Sequence, residues 1–365
     1  MPRLHGGSSL RRGTHVAVAV VVMLATTPAS ADATFVINNL DPAGQGFNDP
    51  TPLTPVGGNP ATTVGQARLN AFRAATDIWS SLLDSRVPIK VDAHWGSLPC
   101  SSDSGSLGSA GALYVYQNFP NAPRAQTSYA SALANALAGK DLSPTNSDID
   151  AYFNSDVGTS DCLASTGWYY GLDGASPSNK IDFVTILAHE LAHGLGFATY
   201  IDVTTGAKLG GLDDSYLLDL EQYGATPPEL FKMTDAQRVL ACKSEPSLLW
   251  TGPLVTAAAL TTLTAGLNHN LVELYGPAPV VVDSSVSHFS ASILPSQLMA
   301  PSYVRPLHDT GLAIDLLRDM GWPVPSPPSA TVVVPATPLW AHLLLAAGLL
   351  GAVGIRKRRA STASK

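Results

Sequence analysis

Cysteine is scarce in this chain: three among 365 residues, and no two of Cys100, Cys162 and Cys242 lie close together in sequence. Cysteine-only zinc sites draw on closely spaced pairs, so that kind of site is excluded here. Charge is scarce as well, at 13% of residues with a formal net charge of -7. Basic residues number only 21 and form clusters only near the two ends, which removes the case for a nucleic-acid partner. There is no internal repeat and no EF-hand calcium loop.

Long apolar runs are confined to the two ends. Arg11 and Arg12 precede the run 16–24, and Ala29-Ser30-Ala31 follows it. A basic stretch, an apolar stretch and a small-x-small site predict a secretory signal peptide over 1–31, cut after Ala31. At the other end, 323–338 is a Pro/Ser-rich tether. The run 339–355 is apolar apart from His342, and Arg356, Lys357, Arg358 and Arg359 close it, so 339–359 reads as a membrane segment with a basic stop. Val334-Pro335-Ala336-Thr337-Pro338-Leu339-Trp340, the apolar run and the arginine cluster together resemble the PEP-CTERM and IPTL-CTERM sorting signals of Gram-negative bacteria. That resemblance implies a sorting transpeptidase as a partner. The expected location is exported: periplasmic, cell-surface or secreted. Such a setting favours one disulfide and one leftover thiol, with three pairings open; Cys100 and Cys162, both early in the chain, are the favoured pair.

Between these ends, 32–322 is the expected catalytic domain. Leu69, Phe72, Ala75, Ile78, Trp79 and Leu82 fall at helical spacing and predict a helix over 64–83. Strands are expected over 34–37, 87–91, 112–116 and 149–153. Further helices are expected over 128–137, 181–195, 215–222 and 234–241. The mixture points to an α+β fold.

The segment IDFVTILAHELAHGLGF carries the chemistry. His189 and His193, at i and i+4, project from one helix face and can reach a single zinc ion. Glu190 stands between them, where a carboxylate can take the proton of an attacking water as general base. For a chain with 9 histidines, chance gives about 0.003 occurrences of this pattern. The pattern predicts zinc-dependent hydrolysis of peptide bonds, with Zn2+ as the cofactor and a protein or peptide as substrate.

A catalytic zinc needs a third protein ligand and an open position. The spacing H-E-x-x-H-x-x-G-x-x-H puts Thr199 where another histidine would stand, and a hydroxyl is a poor zinc ligand. Asp202, Glu221 and His288 are the candidates. Gly196 turns the chain after the helix, and Met299 follows His288 by eleven residues as a methionine turn would, which favours His288.

His189-Glu190-Leu191-Ala192-His193-Gly194-Leu195-Gly196-Phe197, a long insertion, His288-Phe289 and Leu298-Met299-Ala300-Pro301 together resemble the leishmanolysin-type metzincins. The resemblance implies a metzincin-like zincin domain with an upper part to about 196 and a lower part over 197–322. It implies His189, His193 and His288 as ligands, Glu190 as base and Met299 as the turn methionine. Phe289 departs from that pattern, in which a tryptophan is usual, and there is no obvious pro-segment with a latency cysteine.

Other candidates read more plainly. Tyr303 is expected to pack, Asp156, Asp161 and Asp173 to be solvated turn residues, and His94, His269 and His308 to be structural. The rival functional classes are a non-catalytic surface or matrix protein that keeps zinc, and a hydrolase of non-peptide amides.

Overall fold

Local chemistry sets the helix boundaries. In the computed structural model, which describes residues 32–325, the Thr63 side chain accepts a hydrogen bond from the Gln66 amide and Asp182 accepts one from Thr185. Thr234 forms a capping box with Gln237. Each satisfies an amide that the first helical turn leaves without a partner. In chain order the elements begin with β1 (Phe35–Asn39), α1 (Val64–Ser80), β2 (Ile89–Gly96), β3 (Gly108–Ala112), β4 (Val115–Tyr116) and β5 (Thr127–Ala130). Next come α2 (Ser131–Ala138), β6 (Ile149–Asn154), β7 (Trp168–Tyr169), β8 (Ile181–Asp182) and α3 (Phe183–Gly194). After α3 follow β9 (Asp213–Asp214), β10 (Leu220–Gln222), α4 (Asp235–Ala241), β11 (Leu248–Trp250), α5 (Pro253–Thr262), β12 (Leu267–Asn268), β13 (Leu271–Glu273) and α6 (Leu312–Asp319). Helices and strands are mixed throughout, an α+β arrangement.

The main sheet has the order β1-β2-β6-β3. β1, β2 and β6 run parallel, and β3 lies antiparallel to β6 at the edge. Ile89, Val91 and Ala93 of β2 and Ile149, Ala151 and Phe153 of β6 are buried, alternating with more exposed residues as a strand with one covered face requires. Helices α1 and α3 pack together, and the indole of Trp79 donates to the carbonyl of Ala188 at 3.0 Å. Phe183, the first residue of α3, sits among Trp95, Phe153, Trp168 and Tyr170 with ring centroids 5.1–5.7 Å away. These edge-on contacts fix the start of α3 against the sheet.

After α3 the chain turns at Gly196, whose φ of +113° is one that side chains rarely adopt. The antiparallel sheet β10-β11-β13-β12 forms there, with α4, α5 and α6. α6 returns the chain to the main sheet's helices: the Trp322 indole donates to Leu195 O at 2.9 Å, and Asp84 N donates to Pro323 O at 3.0 Å. The disulfide joins Cys100 to Cys162, and Cys242 is a buried free thiol.

Three expected elements differ. The helix over 215–222 is absent: a short 3-10 turn at Leu217–Asp219 leads into β10 instead. Leu217 and Leu220 have helical spacing, but pairing of Leu220 with Trp250 takes the backbone into a sheet. Residues 127–130 are strand, not helix, because β5 pairs with both β4 and β9, and α2 starts only at Ser131. The strand over 112–116 is split into β3 and β4 where Leu113 N donates to Asp148 O and Tyr114 O accepts from Ser131 N. Helices α5 and α6 were not anticipated. No helix among the described residues is long and apolar enough to cross a membrane. The expected signal peptide (1–31), most of the tether and the 339–359 segment lie outside the described residues.

Asp219 supplies a test of the packing between β10, α5 and α6. The Asp319 carboxylate accepts from the Trp250 indole and from the amides of Leu254 and Val255. Burial first, and the charge of Asp319 second, push the Asp219 carboxyl up to about 7. Its folded-state value is raised, so the stability it contributes is complete below the ordinary 3.8 and is lost as pH rises through about 7. The melting-temperature advantage of Asp219→Asn over wild type is therefore expected to grow between pH 4 and pH 8. A pH-independent difference would contradict this.

Candidate metal centre

Helical geometry places His189 and His193 one turn apart on α3, and a loop between β13 and α6 brings His288 to meet them. The three Nε2 atoms lie 3.2 Å from one another in every pair. Among the described residues, this is the group of three or more His, Cys, Asp or Glu whose ligand atoms converge, all within 4.8 Å.

Each ring is oriented from behind. Nδ1 of His189 lies 2.8 Å from Leu298 O, Nδ1 of His193 lies 2.8 Å from Phe197 O, and Nδ1 of His288 lies 2.8 Å from Ser284 O. A carbonyl can only accept, so each Nδ1 carries the proton and donates. Each Nε2 then presents a lone pair towards the other two. Burial lowers the pKa of all three rings: His288 falls to about 3, and His193 falls well below the ordinary range with the other two rings adding to the effect. Two half-buried imidazoles and one buried one, all neutral, aim lone pairs at one point, an arrangement that a cation would satisfy.

The spacing fits one. Tetrahedral ligands at the usual zinc–nitrogen distance of about 2.0 Å stand about 3.3 Å apart, against the 3.2 Å found here. No fourth His, Cys, Asp or Glu among the described residues joins the cluster. Three protein ligands with a free position is the pattern of a catalytic zinc site, whereas structural sites are closed by four.

The surrounding loops explain the choice of residues. Thr199 Oγ1 donates to Asp214 Oδ2 at 2.9 Å, and Thr199 N donates to Ser287 Oγ at 3.3 Å. The threonine at the expected histidine position thus ties the post-helix turn to the residue beside His288. Met299 is fully buried, and its carbonyl accepts from Phe289 N at 2.9 Å, while Leu298 O holds His189. Residues 298–299 therefore couple His189 on the helix to the loop that carries His288. Asp202 and Glu221 stand apart from the cluster. Asp202 is exposed and accepts from Thr204 and Thr205, which hold its carboxyl at about 2; Glu221 pairs with Leu249 in β10.

Glu190 is buried, and desolvation pushes its carboxyl up to about 8, offset in part by a hydrogen bond from the Ala110 backbone. A dication bound nearby would favour the ionised form and so oppose that shift. Gly108 of β3 touches the same side chain: a Cβ there would lie 2.7 Å from Glu190 Cγ and 2.9 Å from Oε1. Sequence reasoning missed Gly108 and Ala110, because GSAGA has no hydrophobic alternation to mark it as a strand.

The remaining candidates have other partners. Tyr303 OH accepts from Asp182 N at the start of α3. Asp156 accepts from Ser97 and Ser155, and Asp173 from Tyr169 and Ala175; Asp161 is exposed, with Ser160 Oγ at 3.4 Å. His94 bonds Asp150, His308 bonds Asp182, and His269 stacks on Tyr223.

Over residues 59–216 the chain is similar to the family model described as SPBPB7E8-like. That stretch contains His189, Glu190 and His193 but stops short of His288. No curated protein sequence and no solved structure matches the chain.

Zinc titration of metal-stripped protein is expected to give one ion per chain. His288→Ala should weaken that binding by more than the roughly 10–100-fold that loss of an outer hydrogen bond costs, whereas Asp202→Ala and Glu221→Ala should bind as wild type. Loss of zinc in Glu221→Ala with retention in His288→Ala would overturn the ligand set.

Proposed function

We propose that this protein is an exported zinc endopeptidase of metzincin-like type, with His189, His193 and His288 as metal ligands and Glu190 as general base. The observation that carries the proposal is the open, three-histidine cluster with a buried carboxylate on the same helix. When bound, zinc would supply Lewis acidity to the scissile carbonyl and make the attacking water more acidic.

The residues of the chain do the rest. Edge strand β3, apart from the Ala110 backbone bonded to Glu190, would offer amides and carbonyls to an extended peptide added to the sheet as a further strand. Glu190 takes one proton from the attacking water as the C–O bond forms, and gives a proton to the leaving nitrogen as the C–N bond breaks. The backbone carbonyls of Leu298, Phe197 and Ser284 keep the three imidazoles in the tautomer that leaves Nε2 free. Met299 serves as the turn methionine. The basic-apolar leader and the 339–359 segment with its basic stop support export and membrane attachment, with a sorting transpeptidase as a partner at the tail.

The test compares wild type and Glu190→Ala for zinc content and for cleavage of a casein or mixed-peptide substrate. The expected result is one zinc in both, with kcat reduced about 100–10,000-fold in the variant. A zinc-loaded wild type that cleaves no peptide would overturn the peptidase reading and leave a metal-holding surface protein.

A further inference from the structure

We propose that the Cys100–Cys162 disulfide and Asn154 are positioning groups for Glu190, acting through edge strand β3, so that the site is completed only in the oxidised chain. This rests on the reading of Glu190 as the general base.

The chain of contacts starts at the carboxylate. Gly108 packs directly against the Glu190 side chain, and the Ala110 backbone hydrogen-bonds to it. The position of that carboxylate therefore depends on β3 as well as on its own helix. An edge strand is held by a sheet neighbour on one side alone, here β6. Its C-terminal end is secured by Leu113 N donating to Asp148 O at 2.8 Å.

The N-terminal end has a matching backbone bond to β6 and, in addition, side-chain and covalent ties. Residues 97–107, between β2 and β3, form no helix or strand, and 101–106 are exposed. Asn154, fully buried at the end of β6, gathers this segment. Its amide nitrogen Nδ2 donates to Ser106 O at 2.7 Å, and its backbone N–H donates to Leu107 O at 3.0 Å. Its Oδ1 accepts from the amides of Leu98 at 3.4 Å and Asp156 at 2.9 Å. Nδ2 also lies 3.8 Å from Cys162 Sγ. The disulfide then ties the exposed loop to the 159–163 turn, where Leu163 N donates to Ser101 O at 2.9 Å. The bond thus adds a covalent tie to the segment that leads into β3, eight residues before the glycine that touches Glu190, on top of the ladder bonds to β6.

The redox step balances simply. The thiols of Cys100 and Cys162 lose two protons and two electrons as the S–S bond forms, and a disulfide-class oxidant takes them up as it becomes a dithiol. Oxidising compartments outside the cytoplasm supply such oxidants. A chain still in the reducing cytoplasm keeps both thiols, leaves β3 loosely held, and hydrolyses peptides slowly; export completes the site. Cys242 is buried away from this exchange.

The test uses the full zinc-loaded chain before and after reduction with a water-soluble phosphine, and the Cys100→Ala/Cys162→Ala variant. Peptide cleavage, zinc content and amide hydrogen exchange are followed together. Reduction is expected to lower kcat about 100-fold, the scale of a 1 Å misplacement. Zinc should stay at one per chain, exchange should rise over 97–112 while α3 stays protected, and reoxidation should restore activity. Unchanged kcat and unchanged protection of β3 in the reduced chain would overturn the proposal. So would joint loss of zinc and of α3 protection, which would mark the bond as a staple of the whole fold. If the oxidised chain cleaves no peptide, the peptidase reading fails, and localised exchange at β3 alone still decides whether the bond governs that strand.

Discussion

Three neutral imidazoles turned towards one point are the constraint on which the structure around them depends. Their Nε2 atoms stand 3.2 Å apart with no proton to share among them, because each proton is committed to a carbonyl on the far side of its ring. Such an arrangement is unfavourable in the bare protein and strongly favourable around a cation. The same hydrogen bonds that make the cluster costly without metal orient it for metal, so the binding free energy of an ion held there would also be folding free energy for the loops that carry the three histidines.

Those loops come from distant parts of the chain and are joined by short backbone contacts. Gly196 ends the course of α3 and lets Phe197 O return to His193. Thr199 reaches Ser287 beside His288, and residues 298–299 bond both to His189 and to Phe289. A segment holding β9 through β13 with α4 and α5 separates Thr199 from His288, yet it is anchored at both ends next to α3. The antiparallel sheet inside this segment has its own buried residues, including Trp250, Leu248 and Val272, so it can hold His288 in place.

Much of the site was legible in the sequence because it lies on one helix, where the i, i+4 spacing has a single geometric meaning. Asp182 as cap, the apolar run from Phe183 and the turn at Gly196 agree with each other at every level. His288 was harder, since nothing local in SVSHFSASILP marks it out, and only the turn at Gly196 and its distance to Met299 favoured it. The failures have a common cause. Leu217 and Leu220 satisfy a helical pattern, yet Leu220 pairs with Trp250 across a sheet whose other strands lie far along the chain. Gly108 and Asn154 act through long-range packing, and small residues in GSAGA carry no periodic signal. Long-range pairing overrides local propensity, and a single sequence does not display it.

The account stands on a metal held by three histidine nitrogens with one position left open. X-ray absorption of the zinc-loaded chain measures this directly. The predicted result is three nitrogen neighbours at about 2.0 Å and one non-protein oxygen at a similar distance, with the nitrogen count falling to two in His288→Ala. A sulfur shell at about 2.3 Å, or four protein ligands closing the ion, would contradict the account.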